Sequence, residues 1–298
     1  GLHTFDDFPL EELVAYFDWS PFFHAWQLRG RYPAIFEDEI VGEESRKLYD
    51  DARRLLDRIV NERLFRARGV LGLWPANSTG EDIEIYTDSS RAELLGTFHC
   101  LRQQMKKPAG QPNWSLADFV APKSSGRIDT VGGFAVTAGP EVHDLSLRFK
   151  QEHDDYSSLM VSALGDRFAE AFAECLHKKA RDLWGFGKTE GLSNDELIRE
   201  KYRGIRPAPG YPSQPDHTEK WELFRMLDAT RHTGITLTES LAMHPGSSVS
   251  GLYFASPEAR YFAVGKVERD QVADYAVRKG MPVAEIEKWL GPYLNYEP

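Results

Sequence analysis

The chain has 298 residues, 41% of them hydrophobic and 28% charged, with a net charge of −10. That length is ample for a core, and the acidic balance removes any general attraction to nucleic acid or to an anionic membrane surface. No apolar run reaches the roughly 18–20 residues that span a bilayer, and two cysteines in unrelated contexts, Cys100 and Cys175, make a disulfide framework or zinc site a poor reading beside two buried thiols in a reducing cytosol.

Residues 10–17 read as a short amphipathic helix that Asp18–Pro21 breaks. Residues 43–66 form a clear helix, with Leu48, Ala52, Leu55, Leu56, Ile59, Val60 and Leu64 on one face at 3.6 periodicity. Strands follow at 69–76 and 82–88 around a turn at NSTGE, with a third near Thr97-Phe98 and a fourth, weakened by glycines, at 130–139. The longest helix is expected from about Ser157 to Trp184, with Leu159, Leu164, Phe168, Phe172, Cys175 and Leu176 facing inward. LSNDELIREKY reads as a short capped helix. Asp216-His217-Thr218-Glu219 has the spacing of a capping box for a helix that stops near Gly234. A β-hairpin is expected over 247–267, and two glycine-ended helices close the chain. Strands, then helices, then a hairpin predict an α+β fold with a largely antiparallel sheet rather than a βαβ alternation.

Several chemistries have no sequence support. There is no G-x-G-x-x-G, no P-loop, no G-x-S-x-G elbow and no H-E-x-x-H. His153 beside Asp154 and Asp155 suits the N-terminal turn of a helix better than a metal site. The segment RGIRPAPGYPSQPDHTEK (203–220) is different, because it carries Pro207, Pro209, Pro212 and Pro215. Each proline forces its predecessor out of the α region. Gly210 supplies a positive φ or a close backbone approach. The result is a stiff loop that points Arg206 and Tyr211 in fixed directions. A preorganised guanidinium binds carboxylate or phosphate through two parallel hydrogen bonds. The competing reading is a connector whose Arg206 pairs with a nearby acid.

RPAPGYP followed by PDHTEK resembles the C-terminal activation domain of cobalamin-dependent methionine synthase, whose Arg-x-x-x-Gly-Tyr signature is met by Arg206, Gly210 and Tyr211. FDWSPFFHAWQLRGRYP (17–33), DDYSSLMVSALGDRFAEAFAE (154–174), TGITLTESLAM (233–243), SVSGLYF (248–254) and IEKWLG (286–291) resemble the family in the expected order, over essentially the whole chain. The resemblance implies a C-shaped single domain with a twisted antiparallel sheet flanked by helices, spanning residues 1–298. It also implies shallow binding of S-adenosylmethionine without a glycine-rich loop. Arg206 would hold the ligand carboxylate and Asp18 its ammonium. Ala208, Gly210 and Tyr211 would form the loop wall, Tyr261 and Phe262 an aromatic pair, and Glu170 a nearby carboxylate. Many family members have Tyr-Tyr at the pair, so Phe262 lacks a hydroxyl. An acid, an arginine and aromatic rings complement a zwitterion that also carries a sulfonium. Each residue keeps a second reading: Asp18 as a helix cap near Ser20, Tyr261 and Phe262 on opposite faces of a strand, Glu170 as a solvated helix residue.

In the family, cobalamin held by a partner domain is reductively methylated from cob(II)alamin to methylcobalamin. S-adenosylmethionine gives the methyl group and a flavodoxin-type protein the electron. The protein's share is positioning and electrostatics. This chain has no D-x-H-x-x-G cobalamin-ligating signature and no adjacent cysteine pair. It is therefore expected not to make methionine alone, but to act as an excised domain or a separate reactivation subunit in the cytoplasm. A binding sensor or docking module without methyl transfer is the alternative.

Overall fold

The computed structural model describes residues 1–298. In chain order it has β1 (Leu2–Phe8), α1 (Leu10–Val14), α2 (Ser20–His24), α3 (Gly42–Asn61), β2 (Ala67–Thr79), β3 (Asp82–Tyr86), β4 (Leu94–His99), β5 (Asp129–Thr137), α4 (Glu141–Gln151), α5 (Asp155–Trp184), α6 (Asn194–Ile198), α7 (Glu219–Leu227), α8 (Ala229–Thr233), β6 (Thr236–Leu237), β7 (Met243–His244), β8 (Ser248–Phe254), α9 (Arg269–Lys279) and α10 (Val283–Leu290). The main sheet runs β4-β3-β2-β5-β8, wholly antiparallel, and β1 pairs with the first half of β2 on the edge that β3 uses further along. The predicted α+β class with an antiparallel sheet is what the chain adopts.

Alternation along the strands feeds two cores. Leu71, Phe134, Val136 and Tyr253 point into one, which α1, α2, α3 and α5 cover. Val70, Trp74, Val131, Ala135 and Leu252 point into the other, under α7 and α8. A third, smaller cluster holds α9 and α10 through Val272, Tyr275, Ile286 and Leu290. The glycines of β5 are packing devices, not weaknesses: a Cβ on Gly133 would sit 2.8 Å from Leu223 of α7. They let the helix lie close on the sheet.

Helix α5 is the spine. Asp154 caps it by accepting the Ser157 N–H at 2.9 Å, and Gly185 ends it at φ +97°. Leu164, Phe168, Phe172 and Leu176 are buried as the periodicity predicts, but Leu159, in the second turn, is 46% exposed. Cys100 and Cys175 are both buried and unbridged, and burial pushes the Cys175 thiol up to about 11.

Four expectations are corrected. Strand β2 continues through NST to Thr79, which pairs with Asp82, so the hairpin loop is only Gly80-Glu81. Residues 260–267 do not return along β8. The Val264 N–H reaches Pro212 O at 2.8 Å instead, tying this segment to the proline loop, and Val267 makes one isolated bridge to Leu294. Asp216 caps nothing. Its buried carboxylate takes the Thr218 N–H and hydroxyl, Tyr275 Oη at 2.8 Å and Lys279 Nζ at 3.0 Å, fastening the start of α7 to α9. The first helix stops at Val14, short of the 10–17 expected.

Candidate functional site

The proline segment is part of the sheet's edge. Ile205 exchanges both backbone hydrogen bonds with Phe254 (3.1 and 3.0 Å), and Pro207 O accepts from Leu252 N at 2.8 Å, so residues 205–207 cover the outer side of β8. The chain then turns over Pro209 and Gly210. Gly210 has φ +94°, and any Cβ there would lie 2.2 Å from the His217 ring. The turn closes with Gly210 N to Gln214 O at 2.7 Å and Gln214 N to Tyr211 O at 2.9 Å. The extended, rigid geometry expected of this loop is present, and Gly210 has the positive φ expected of it.

The loop walls a cavity of 620 Å³. Among its lining residues, Arg206, Pro207, Ala208, Tyr211 and Ser213 come from the loop, Glu170 from α5, Lys220 from α7 and Ser250 from β8. Glu200, Tyr261 and Phe262 complete the rim. Arg206 turns its Nη1 away, onto the Glu174 carboxylate and Tyr202 Oη (2.7 Å). Its Nε and Nη2 have no protein partner. The backbone N–H of Arg206 donates to Tyr261 Oη at 3.1 Å, which fixes that ring at the mouth. Tyr211 and Tyr261 are both exposed there. Phe262 is half-buried against Phe119, with centroids 6.2 Å apart, so one of the pair is a mouth residue and the other packs inward.

The charges divide. Glu170 and Glu200 are exposed carboxylates with no salt bridge, facing the rim. Lys220 is buried with no acid beside it: its Nζ meets His217 Nδ1 at 3.0 Å and Leu241 O at 2.9 Å, and desolvation lowers its pKa. Glu200 and Lys220 were not singled out from sequence. A pattern search passes over Glu200 because it lies in a polar, helix-like phrase, yet its φ of +54° already sets it off the helix. Lys220 sits where a capping-box reading expects a solvated first turn.

Asp18 does not line the cavity. Its Oδ1 accepts the Ser20 N–H at 2.9 Å, the capping alternative, while Oδ2 has no protein partner. Phe17 packs edge-on to Phe168 at 4.8 Å, so Asp18 lies beside α5, the helix that carries Glu170. The pairing of Arg206 with a nearby acid is present through Nη1, while its Nε and Nη2 carry no protein partner beside the cavity. No group of three His, Cys, Asp or Glu side chains is placed to hold a metal ion, and no helix is long and apolar enough to cross a membrane.

An open antiparallel sheet whose edge carries a stiffened arginine loop beside a cavity and unpaired carboxylates defines an α+β domain with one candidate ligand site. The family described as "Vitamin B12 dependent methionine synthase, activation domain" matches residues 9–280, and the chain belongs to it. It is similar to the MetH reactivation domain solved in a crystal structure with AdoHcy bound, at TM-score 0.97 and 53% identity, over 100% of this chain and 91% of that one. The chain is thus an activation domain of a B12-dependent methyltransferase, whose work is shared with a cobalamin-binding domain.

Proposed function

We propose that this chain binds S-adenosylmethionine in the cavity behind Arg206 and presents its methyl group to the cobalamin of a partner domain, restoring methylcobalamin from cob(II)alamin. The observation that carries the reading is the free Nε–Nη2 edge of Arg206, preorganised beside a rim with two unpaired carboxylates. That edge receives the ligand carboxylate as a bidentate pair. The ammonium falls to Asp18 Oδ2, and Glu170 and Glu200 favour the remaining positive charge. Ala208, Gly210 and Tyr211 line or shape the wall, and Tyr261 and Phe262 offer ring surface to the sulfonium, worth about 0.5–2 kcal/mol. Bound there, S-adenosylmethionine supplies an activated methyl group. The chain's residues orient it and need no nucleophile of their own.

The structural relative solved with AdoHcy supports this site, and the family match favours it over a sensor or docking module. Residues 1–298 act as one domain, the electron comes from a flavodoxin-type partner, and the setting is the cytoplasm. Calorimetric titration with S-adenosylmethionine tests the reading beside an Arg206→Ala variant checked for folding. Loss of a buried charged contact costs about 2–5 kcal/mol, so the variant should bind at least about 30-fold more weakly. Equal affinity in the variant would overturn it.

A further inference from the structure

Arg206 is held from behind by groups that the ligand reading does not use. Glu174, 4% exposed, stands on α5 one turn beyond Glu170. His177 and Arg181, both fully buried, continue the same helix face. The His177 ring lies parallel to Tyr253 (4.8 Å, 4°), and the edge of Tyr202 meets it at 4.6 Å. Arg181 stacks on Tyr202 at 4.2 Å, and Tyr253 stacks on Phe134, a cavity wall residue, at 4.7 Å.

Within this cluster Glu174 Oε1, both His177 nitrogens, both terminal nitrogens of Arg181 and the Tyr253 hydroxyl are buried without a protein partner. Buried polar groups in folded proteins are hydrogen-bonded, to ordered water where no protein atom serves. The orphaned atoms form one buried polar cluster, joined by contacts, behind the cavity wall. It meets the site at Arg206 Nη1, through the Glu174 carboxylate and Tyr202 Oη, and at Phe134, through the Tyr253 stack.

We infer that Glu174 is the positioning residue of the site: its carboxylate grips Arg206 Nη1 from the buried side, and so aims the free Nε–Nη2 edge at a carboxylate on the ligand. Tyr202 Oη shares that nitrogen but, as a neutral acceptor, holds it more weakly. Without the Glu174 charge the guanidinium keeps one neutral tether and its edge is no longer fixed. The inference deepens the ligand site proposed above and rests on it.

The test compares two ligands that differ in one part. S-adenosylhomocysteine has the amino-acid carboxylate, and 5′-methylthioadenosine lacks the whole amino-acid end. Glu174→Gln keeps shape and packing and removes the charge. It should weaken S-adenosylhomocysteine about tenfold and leave 5′-methylthioadenosine unchanged. A merely structural role would weaken both alike, and that result, or no change in either, would overturn the inference. Arg206→Lys in the same titration separates the two claims. If it costs S-adenosylhomocysteine binding and Glu174→Gln does not, the role of Glu174 fails alone. If neither variant discriminates between the ligands, the ligand site fails with it. A ligand-free measurement decides independently: guanidinium 15N NMR should show hindered Cζ–Nη1 rotation at Arg206 in the wild type and averaged signals in Glu174→Gln. Identical spectra would refute the grip.

Discussion

Gly210→Ala tests the claim that the cavity wall depends on one backbone conformation. A residue with a Cβ at φ +94° carries about 1–2 kcal/mol of backbone strain. The methyl would also stand 2.2 Å from His217 Cε1 and 2.5 Å from Nδ1, so the ring must retreat by more than an ångström to reach ordinary contact. The ring is not free to do so, because Nδ1 is bonded to the buried Lys220 Nζ at 3.0 Å. Losing that bond adds about 0.5–1.5 kcal/mol, for a total of about 1.5–3.5 kcal/mol. With an unfolding entropy of about 2.1 cal/mol/K per residue, 1 kcal/mol in a chain this long is worth under 2 °C, and the melting temperature should fall by about 2–6 °C. Urea and thermal unfolding measure the stability, and titration with S-adenosylhomocysteine should show weaker binding. Adding His217→Ala removes the clash but not the strain, so the second substitution should cost less in the Gly210→Ala background than in the wild type. Unchanged stability in Gly210→Ala, or strictly additive effects in the double variant, would refute the reasoning.

His177 and Asp18 give two further expectations. Burial, with Arg181 and Arg206 adding to it, holds His177 neutral and its pKa well below the ordinary histidine range. The unfolded chain takes up a proton below about pH 6.5 that the folded chain refuses, so stability is lost as pH falls through that value, by about 1.4 kcal/mol per unit. His177→Phe keeps the ring and removes the proton. Urea unfolding at pH 7.5 and 5.5 should show the wild type losing about 1.4 kcal/mol more than the variant, and equal losses would contradict the assignment. Asp18→Asn keeps the Ser20 contact and removes the charge on Oδ2. It should leave stability nearly unchanged while weakening S-adenosylmethionine in calorimetry, and unaltered affinity would take Asp18 out of the site.

The parts of this structure legible in the sequence are those where local chemistry acts alone. Prolines 207, 209, 212 and 215 stiffen their own segment whatever surrounds it, so the loop's rigidity and the conformation of Gly210 could be read directly. The faces of α3 and α5 followed from periodicity for the same reason, except that α3 ends at Asn61, short of the 43–66 expected and before Leu64, and Leu159 of α5 is exposed. What escaped depends on distant partners. Strand β1 is a polar edge strand whose only warrant is its pairing with β2. Residues 260–267 alternate like a strand, but β8 already has neighbours on both sides, β5 and residues 205–207. Asp216 has cap spacing, yet Tyr275 and Lys279, some sixty positions further on, claim its carboxylate. Glu174, His177 and Arg181 form a polar stripe on α5 that reads as a solvated face. Only the arrival of Tyr202, Arg206 and Tyr253 buries it.

Residues 205–207 also decide how the molecule meets its neighbours. An uncovered outer strand offers a row of donors and acceptors to any other chain, which is a route to aggregation. Here the strip that seals β8 is almost mute on its far side. The outward N–H of Arg206 is spent on Tyr261 Oη, and Ala208 O accepts from Tyr211 N at 3.1 Å within its own turn. A second strand approaching that border would find few donors to pair with. The stiffness that aims the arginine comes from the prolines, and the silence of the border comes from the Tyr261 hydroxyl at the cavity mouth. The substitution Tyr261→Phe, made to probe the mouth, would therefore be expected to free that N–H and raise aggregation as well.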